Sequence, residues 1–336
     1  MTRGNAGGGY DLRVIISPAK KMRDAGEDGA GAGRAHVACD AFAPTGIPPF
    51  PEKSARVLAA LRSKARTELQ ALWKVSDKLL DESCRCTEAL ELPASWDEAC
   101  KPGVAALLVP AIFSYEGIQY QSMAPEVLDE PALAWLQDHL RVLSALHGCV
   151  RPLDAVMPYR LEMGARLSVD GSRDLYDFWG PTLGTTLASG GDALVSSSAG
   201  VAPASCAPEG STCIVNLASV EYAKAVLPYL PDGTPVVTCI FGESLKDGRP
   251  VQRSTASKTA RGSMVRWLAE RQPIDPADLR LFDVGYRYDE ALSRGLSAGT
   301  TCPPQGADRQ PQGAACPSVC DNARLPATLV FMRPDA

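Results

Sequence analysis

Residues 139–166 read HLRVLSALHGCVRPLDAVMPYRLEMGAR. Leu133, Leu136, Leu140 and Leu143 recur at helical spacing after Pro131, which predicts a helix entered at the proline and ended near Gly148, where glycine accepts the left-handed conformation of a helix end. Pro152 blocks the helix from resuming. Helix, tight turn and second segment would set free backbone N–H groups beside Arg141, Arg151, Arg160 and Arg166. Only Asp154 and Glu162 oppose those arginines, so the stretch carries a surplus of positive charge. A hairpin of that shape suits phosphate oxygens. Ion pairs that merely hold the fold are the competing expectation for the same arginines.

Outward from this stretch, strands and helices mix without a regular alternation. Leu12–Ile16 is a short apolar run ending at Ser17-Pro18 and predicts a buried strand. Val57, Leu61, Ala65 and Leu69 follow at helical spacing. Ile214–Leu217, Val236–Phe241 and Thr328–Met332 read as further strands. Core elements thus reach both ends of the chain. The pattern predicts an α+β fold: one large domain over 10–334 with a mixed sheet, surrounding helices and flexible loop insertions. Low-complexity insertions are expected at about 24–49, 185–213 and 291–327. The first holds seven Ala and five Gly in 26 positions.

Composition narrows the function. The 336 residues are 45% hydrophobic and 22% charged, the balance of a globular protein and too apolar for a disordered one. The longest apolar run, Val104–Phe113, spans ten residues and includes Pro110, short of the roughly 20 a membrane span needs. The first residues lack the apolar core of a secretory signal, so a cytoplasmic protein with reduced thiols among its 11 cysteines is expected. With 34 Lys plus Arg against 39 Asp plus Glu, the formal charge is -5. Bulk attraction to nucleic acid is thereby excluded, and such binding would need a local basic surface.

Two more basic spots stand out. Lys20 and Lys21 follow the first strand directly, at the carboxyl end where sheet proteins bind ligands. Lys258 and Arg261 lie three apart on one helix face, opposite Ala260, Met264, Trp267 and Leu268. Metal and cofactor patterns are weak. His36, His139 and His147 lack HExxH spacing, and Cys84-Arg85-Cys86 is one residue short of a zinc knuckle, so no metal site is expected. Gly29–Gly33 is no dinucleotide fingerprint, and neither a GxxxxGK[ST] loop nor a GxSxG elbow is present; no cofactor is expected. Tyr159, Arg160 and Glu162, with Asp174 and Tyr176, would supply an acid, a base and an anion clamp if the chain were an enzyme acting on a phosphorylated small molecule or nucleotide.

Several motifs together carry a family resemblance. They are ISPAKK (Ile16–Lys21), VSDKL (Val75–Leu79), Gly117 and Tyr120, LSALHGCVRPLDAVMPYRLEMG (Leu143–Gly164), DLYDFWG (Asp174–Gly180), VNLASVEY (Val215–Tyr222), ARG (Ala260–Gly262) and LVFMR (Leu329–Arg333). In content and order they resemble the bacterial peroxide stress protein YaaA family. The resemblance implies an α+β fold with a helix-hairpin-helix element, a positively charged cleft, and binding to double-stranded DNA. It also implies protection against hydrogen peroxide by limiting unincorporated iron. Carried over, the hairpin falls at Leu146–Leu153, with Gly148 at its turn. The phosphate-binding residues would be Lys20, Lys21, Lys78, Gly148, Arg151, Arg160, Lys258 and Arg261. Three departures are visible: His147 stands where relatives carry an aromatic, Tyr115–Ser122 lacks the relatives' aspartate and second glycine, and Thr259 replaces the second of two lysines.

Overall fold

Leu12, Val14, Ile15 and Ile16 have no exposed surface, because β1 (Asp11–Ile16) is a central strand covered on both faces. The structure is a computed structural model, which describes residues 10–23, 25, 43–189, 212–299 and 327–334.

From β1 the chain passes through β2 (Lys21–Met22) to three helices, α1 (Pro51–Arg62), α2 (Arg66–Trp73) and α3 (Asp77–Ala89). The helical spacing from Val57 to Leu69 thus belongs to two helices, broken around Ser63–Ala65. Short elements follow: α4 (Trp96–Ala99), α5 (Pro102–Ala105), β3 (Val109–Pro110), α6 (Ala111–Ser114), β4 (Tyr115–Glu116) and α7 (Ile118–Met123). Next comes α8 (Glu130–His139), whose first turn is capped by Asp129 accepting from Ala132 N at 3.0 Å. β5 (Leu140–Ser144), β6 (Gly148–Val150) and β7 (Ala155–Val156) lead to α9 (Leu175–Trp179) and α10 (Thr182–Ala188). The remaining described elements are β8 (Thr212–Asn216), α11 (Val220–Ala223), β9 (Val236–Gly242), β10 (Ser244–Lys246), β11 (Arg249–Val251), α12 (Ser254–Arg271), β12 (Arg287–Asp289), α13 (Glu290–Gly299) and β13 (Thr328–Met332).

Among the described residues seven strands form one mixed sheet in the order β12-β13-β9-β8-β1-β5-β6. The five inner strands are parallel, and the edge strands β12 and β6 are antiparallel to their neighbours. Two-stranded ribbons join β2 to β4, β3 to β7 and β10 to β11. The strands expected at 12–16, 214–217, 236–241 and 328–332 all occur. The mixed sheet with surrounding helices agrees with the α+β expectation. The boundaries of the expected insertions differ: residues 185–188 end α10, Thr212 opens β8, and 291–299 belong to α13. Residues 26–42, 190–211 and 300–326 lie outside the described residues.

At Leu146–Leu153 the expected helix-hairpin-helix element is not seen among the described residues. Helix α8 stops at His139, and Leu140–Ser144 is a wholly buried strand that pairs parallel to β1 and antiparallel to β6. The leucine spacing fits a helix, but an open side of β1 offers a full ladder of backbone hydrogen bonds, and that partner decides the conformation. The hairpin is therefore a β-hairpin. Ser144 Oγ accepts from Leu146 N and His147 N at 3.2 and 2.9 Å, closing the turn. Gly148 leaves it at φ +80.

Candidate functional site

The chain passes from β1 out to β5 on one side and returns to β8 on the other, so the sheet order reverses at β1, and it is beyond the carboxyl ends of strands at such a point that sheet proteins bind ligands. Ser17 follows β1, Ser144 ends β5, and Ser219 follows β8. Ser17 Oγ lies 3.1 Å from Ser219 Oγ and accepts from Ser219 N at 2.9 Å. Tyr120 of α7 donates to Ser17 O at 3.1 Å.

Behind these groups runs an ordered chain of hydroxyls. Ser144 Oγ already accepts two backbone N–H bonds, so its proton goes to Tyr159 Oη at 2.6 Å. Tyr159 Oη also lies within hydrogen-bond distance of Tyr115 Oη, at 2.9 Å. Tyr115, Tyr120, Tyr159 and Tyr222 are all buried. Burial raises each phenol, Tyr159 to about 12, so the cluster is neutral.

Charge lies at this end of the sheet. Lys20 pairs with Glu162 at 2.6 Å, and Lys21 with Glu116 at 2.6 Å. Glu116 also meets Arg23, and the Lys21 hydrogen bond holds its carboxyl below the usual range. Arg160 is partly exposed, and its Nε is buried without a hydrogen-bond partner. Glu221 accepts from Gly164 N at 2.8 Å and tethers that segment to α11. Helix α12 begins just past the β10–β11 ribbon that follows β9, so its first turns lie at this end; its far end approaches the start of β1, where Tyr10 N donates to Ile274 O. Lys258, in the first turns of α12, is exposed. Arg261 is mostly buried rather than on an open cationic face, with burial lowering its pKa and its Nε unpartnered.

The other sequence candidates sit elsewhere or serve the fold. Lys78 is exposed on the first turn of α3, a helix packed on α1 and α2. Gly148 is buried: a Cβ there would stand 2.8 Å from Phe50 and 3.0 Å from both Leu183 and Trp179. Arg151 follows β6 on the side away from the turn, where its backbone N–H donates to the buried Asp154 at 2.8 Å. Beside it, Arg141 is buried and bonds Gln137 O, Asp138 O and Leu140 O, a structural role. Asp174 caps α9 by accepting from Asp177 N at 2.9 Å, and Tyr176 donates to Glu221 O at 3.1 Å. Of the two sets, then, Lys20 and Glu162 are brought into contact, with Lys21 next to the first and Arg160 two residues from the second, while Arg261 lies beside Cys239 of β9.

Sequence reading missed Ser17, Ser144, Ser219, Tyr115, Tyr120 and Gln119. Strand ends at Ile16, Ser144 and Asn216 were the available signal, since ligands of such sheets bind just past the carboxyl ends of the strands. Among the described residues no three His, Cys, Asp or Glu side chains group as a metal ion requires, and no helix is long and apolar enough to cross a membrane.

Fold and edge together define an α+β protein with a mixed sheet and paired lysines just past the carboxyl end of its central strand. The family model described as peroxide stress protein YaaA matches residues 12–292, and the chain belongs to that family. A protein of Pediococcus pentosaceus named UPF0246 protein is 36% identical over 283 residues, covering 84% of this chain and 94% of its own. Relatives of the same name from Lachnoclostridium phytofermentans and Limosilactobacillus fermentum are 36% and 37% identical, each over 84% of this chain and 93% and 96% of their own lengths.

Proposed function

We propose that this member of a peroxide stress family binds the phosphate backbone of double-stranded DNA along the cations at the carboxyl edge of its sheet. The observation that carries the reading is Arg160: a guanidinium Nε shut from solvent with no acceptor, two residues from the exposed Lys20–Glu162 pair. A donor in that state calls for an anion. Lys258 is exposed near the start of α12, and Lys20 and Lys21 would exchange carboxylate partners for phosphates. Lys78 and Arg151 belong to the same proposal as outlying contacts. Little sequence preference is expected, because phosphate contacts position a protein without reading bases. Limitation of free iron in the cytoplasm is the cellular role that goes with this reading, and it rests on the family resemblance. Cells lacking the gene would then show more chelatable iron under peroxide.

The test is duplex binding across a salt series from about 50 to 200 mM. With about four phosphate contacts, log affinity falls against log salt with a slope near -0.9 per contact, and Lys20→Ala or Lys258→Ala each removes roughly one unit. A flat salt dependence, or slopes untouched by both changes, overturns the proposal.

A second reading, an enzyme acting on a phosphorylated small molecule or nucleotide, draws support from the ordered Ser144–Tyr159–Tyr115 chain close behind the edge. Turnover lost in both Glu162→Gln and Tyr159→Phe would favour it over DNA binding.

A further inference from the structure

Ser257 and Arg261 lie one turn apart on α12, and so on one face of that helix. The next residue, Gly262, packs directly on the backbone of Gln119 in α7. Three side chains on these two packed helices each end in a buried polar atom without a hydrogen-bond partner: Gln119 Nε2, Ser257 Oγ and Arg261 Nε. Gln119 and Ser257 are 7% and 4% exposed.

The other buried serine and threonine hydroxyls on the described helices are not left open. Ser54, Ser83 and Thr87 each donate back to the carbonyl four residues earlier, to Phe50, Leu79 and Ser83. Ser257 has the same option at Arg253 O and does not take it. Arg261 is also a cation without a counter-charge. Among the described residues its electrostatic neighbour is the Cys239 thiol, and burial pushes that thiol up to about 12, where it is neutral. A largely buried guanidinium facing no carboxylate is a costly arrangement in an empty site and a favourable one around an anion.

We propose that Gln119, Ser257 and Arg261 form the inner wall of an oxyanion site that takes a single phosphate group. The donor set is an amide, a hydroxyl and a guanidinium, with no acceptor-only side chain. It suits a ligand whose oxygens only accept, and it repels cations. Arg261 supplies the charge, while Gln119 and Ser257 supply direction. Exposed Lys258, adjacent to Ser257, stands at the outer side of the same helix segment. Burial favours a free phosphate ion or a terminal phosphomonoester over the internal diesters of a duplex, whose oxygens stay at the groove surface. The site therefore goes beyond the DNA reading and stands without it.

The test is a thermal melt of the full chain with inorganic phosphate, compared with chloride at matched ionic strength and checked by phosphorus NMR line broadening. Phosphate raises Tm in proportion to the logarithm of its concentration once above Kd. Arg261→Met raises Tm in the absence of phosphate, because an uncompensated buried charge is gone, and abolishes the phosphate increment. Arg261→Lys keeps the charge but loses the fork, and binds roughly tenfold more weakly. Ser257→Ala weakens binding several-fold, and Lys258→Ala changes it less than about threefold. A 5′-phosphorylated nucleoside that competes with phosphate identifies a terminal phosphate as ligand; one that does not identifies the free ion. An increment matched by chloride, or one equal in the wild type and Arg261→Met, overturns the site. Duplex binding is read separately from its salt slope, so failure there leaves this result intact.

Discussion

Gly262 of α12 has no room for a side chain because the backbone of Gln119 fills the space: a Cβ on Gly262 would overlap the Gln119 carbonyl oxygen, stand 2.9 Å from its carbon, and press on Ser122 Cβ at 3.0 Å. The glycine lets α12 and α7 touch backbone to backbone, and this contact sets Gln119 beside Arg261. Backbone cannot give way as a side-chain tip does.

Gly262→Ala should therefore cost about 2–4 kcal/mol, at or above the usual range for overpacking. Urea melts measure it. A loss under roughly 1 kcal/mol, within the range of ordinary surface changes, would contradict the close approach.

Removing Tyr159's hydroxyl should leave two buried partners short. Tyr159→Phe is expected to cost about 1–3 kcal/mol, and Ser144→Ala more than Tyr115→Phe, because Ser144 serves Leu146 N, His147 N and Tyr159 together. A double-mutant cycle between positions 144 and 159 should give a coupling beyond about 0.5 kcal/mol. Strict additivity would mean the hydroxyls act separately.

Two buried groups near the β5–β6 hairpin should oppose each other in acid. Burial pushes the Asp154 carboxyl up to about 7, against the pull of the Arg151 N–H and of Arg151 and Arg141 nearby. Between an unfolded value of about 3.9 and that point, the native state keeps a proton the unfolded chain releases, so stability falls as pH rises. Burial pushes His147 down to about 3. Between there and an unfolded value of about 6.5, the unfolded chain takes a proton the native state refuses, so stability rises with pH. From about pH 4 to 6.5 the two slopes offset one another. Asp154→Asn should expose a rising curve of up to about 1.4 kcal/mol per pH unit, and His147→Phe a falling one. His147→Phe should also gain stability at low pH, since Nε2 is buried without a partner. Three superimposable curves would refute both assignments.

On the proposed DNA surface the carboxylates compete with phosphate. Glu162→Gln releases Lys20 from its 2.6 Å pair, and should strengthen duplex binding and steepen the salt slope by up to about one unit. Fluorescence anisotropy at several salt concentrations reads both. Weaker binding would place Glu162 among groups the ligand needs, as the enzymatic reading expects.

Strand β1 and the strands at 214, 236 and 328 were legible because each is a short apolar run bounded by polar or turn-forming residues. Helix α12 was legible too, down to the buried row of Ala260, Met264 and Leu268. The stretch from Leu140 to Val150 was not. Its leucines satisfy a helical period and a continuously buried strand equally well, and only the neighbouring edge of β1, more than a hundred residues away in sequence, favours the strand.

The amino-acid sequence by itself determined the class of fold, the strand after which Lys20 and Lys21 emerge, and the family, because these depend on local pattern and on motifs in order. Tertiary structure alone decided which cations are available. Lys20 and Lys21 found carboxylates, Arg141 found carbonyls, the Arg151 charge acts on the buried Asp154, and Arg160 and Arg261 kept buried donors unpaired. A charge's partner is whatever packing brings within about 4 Å, and sequence distance carries almost no information about that.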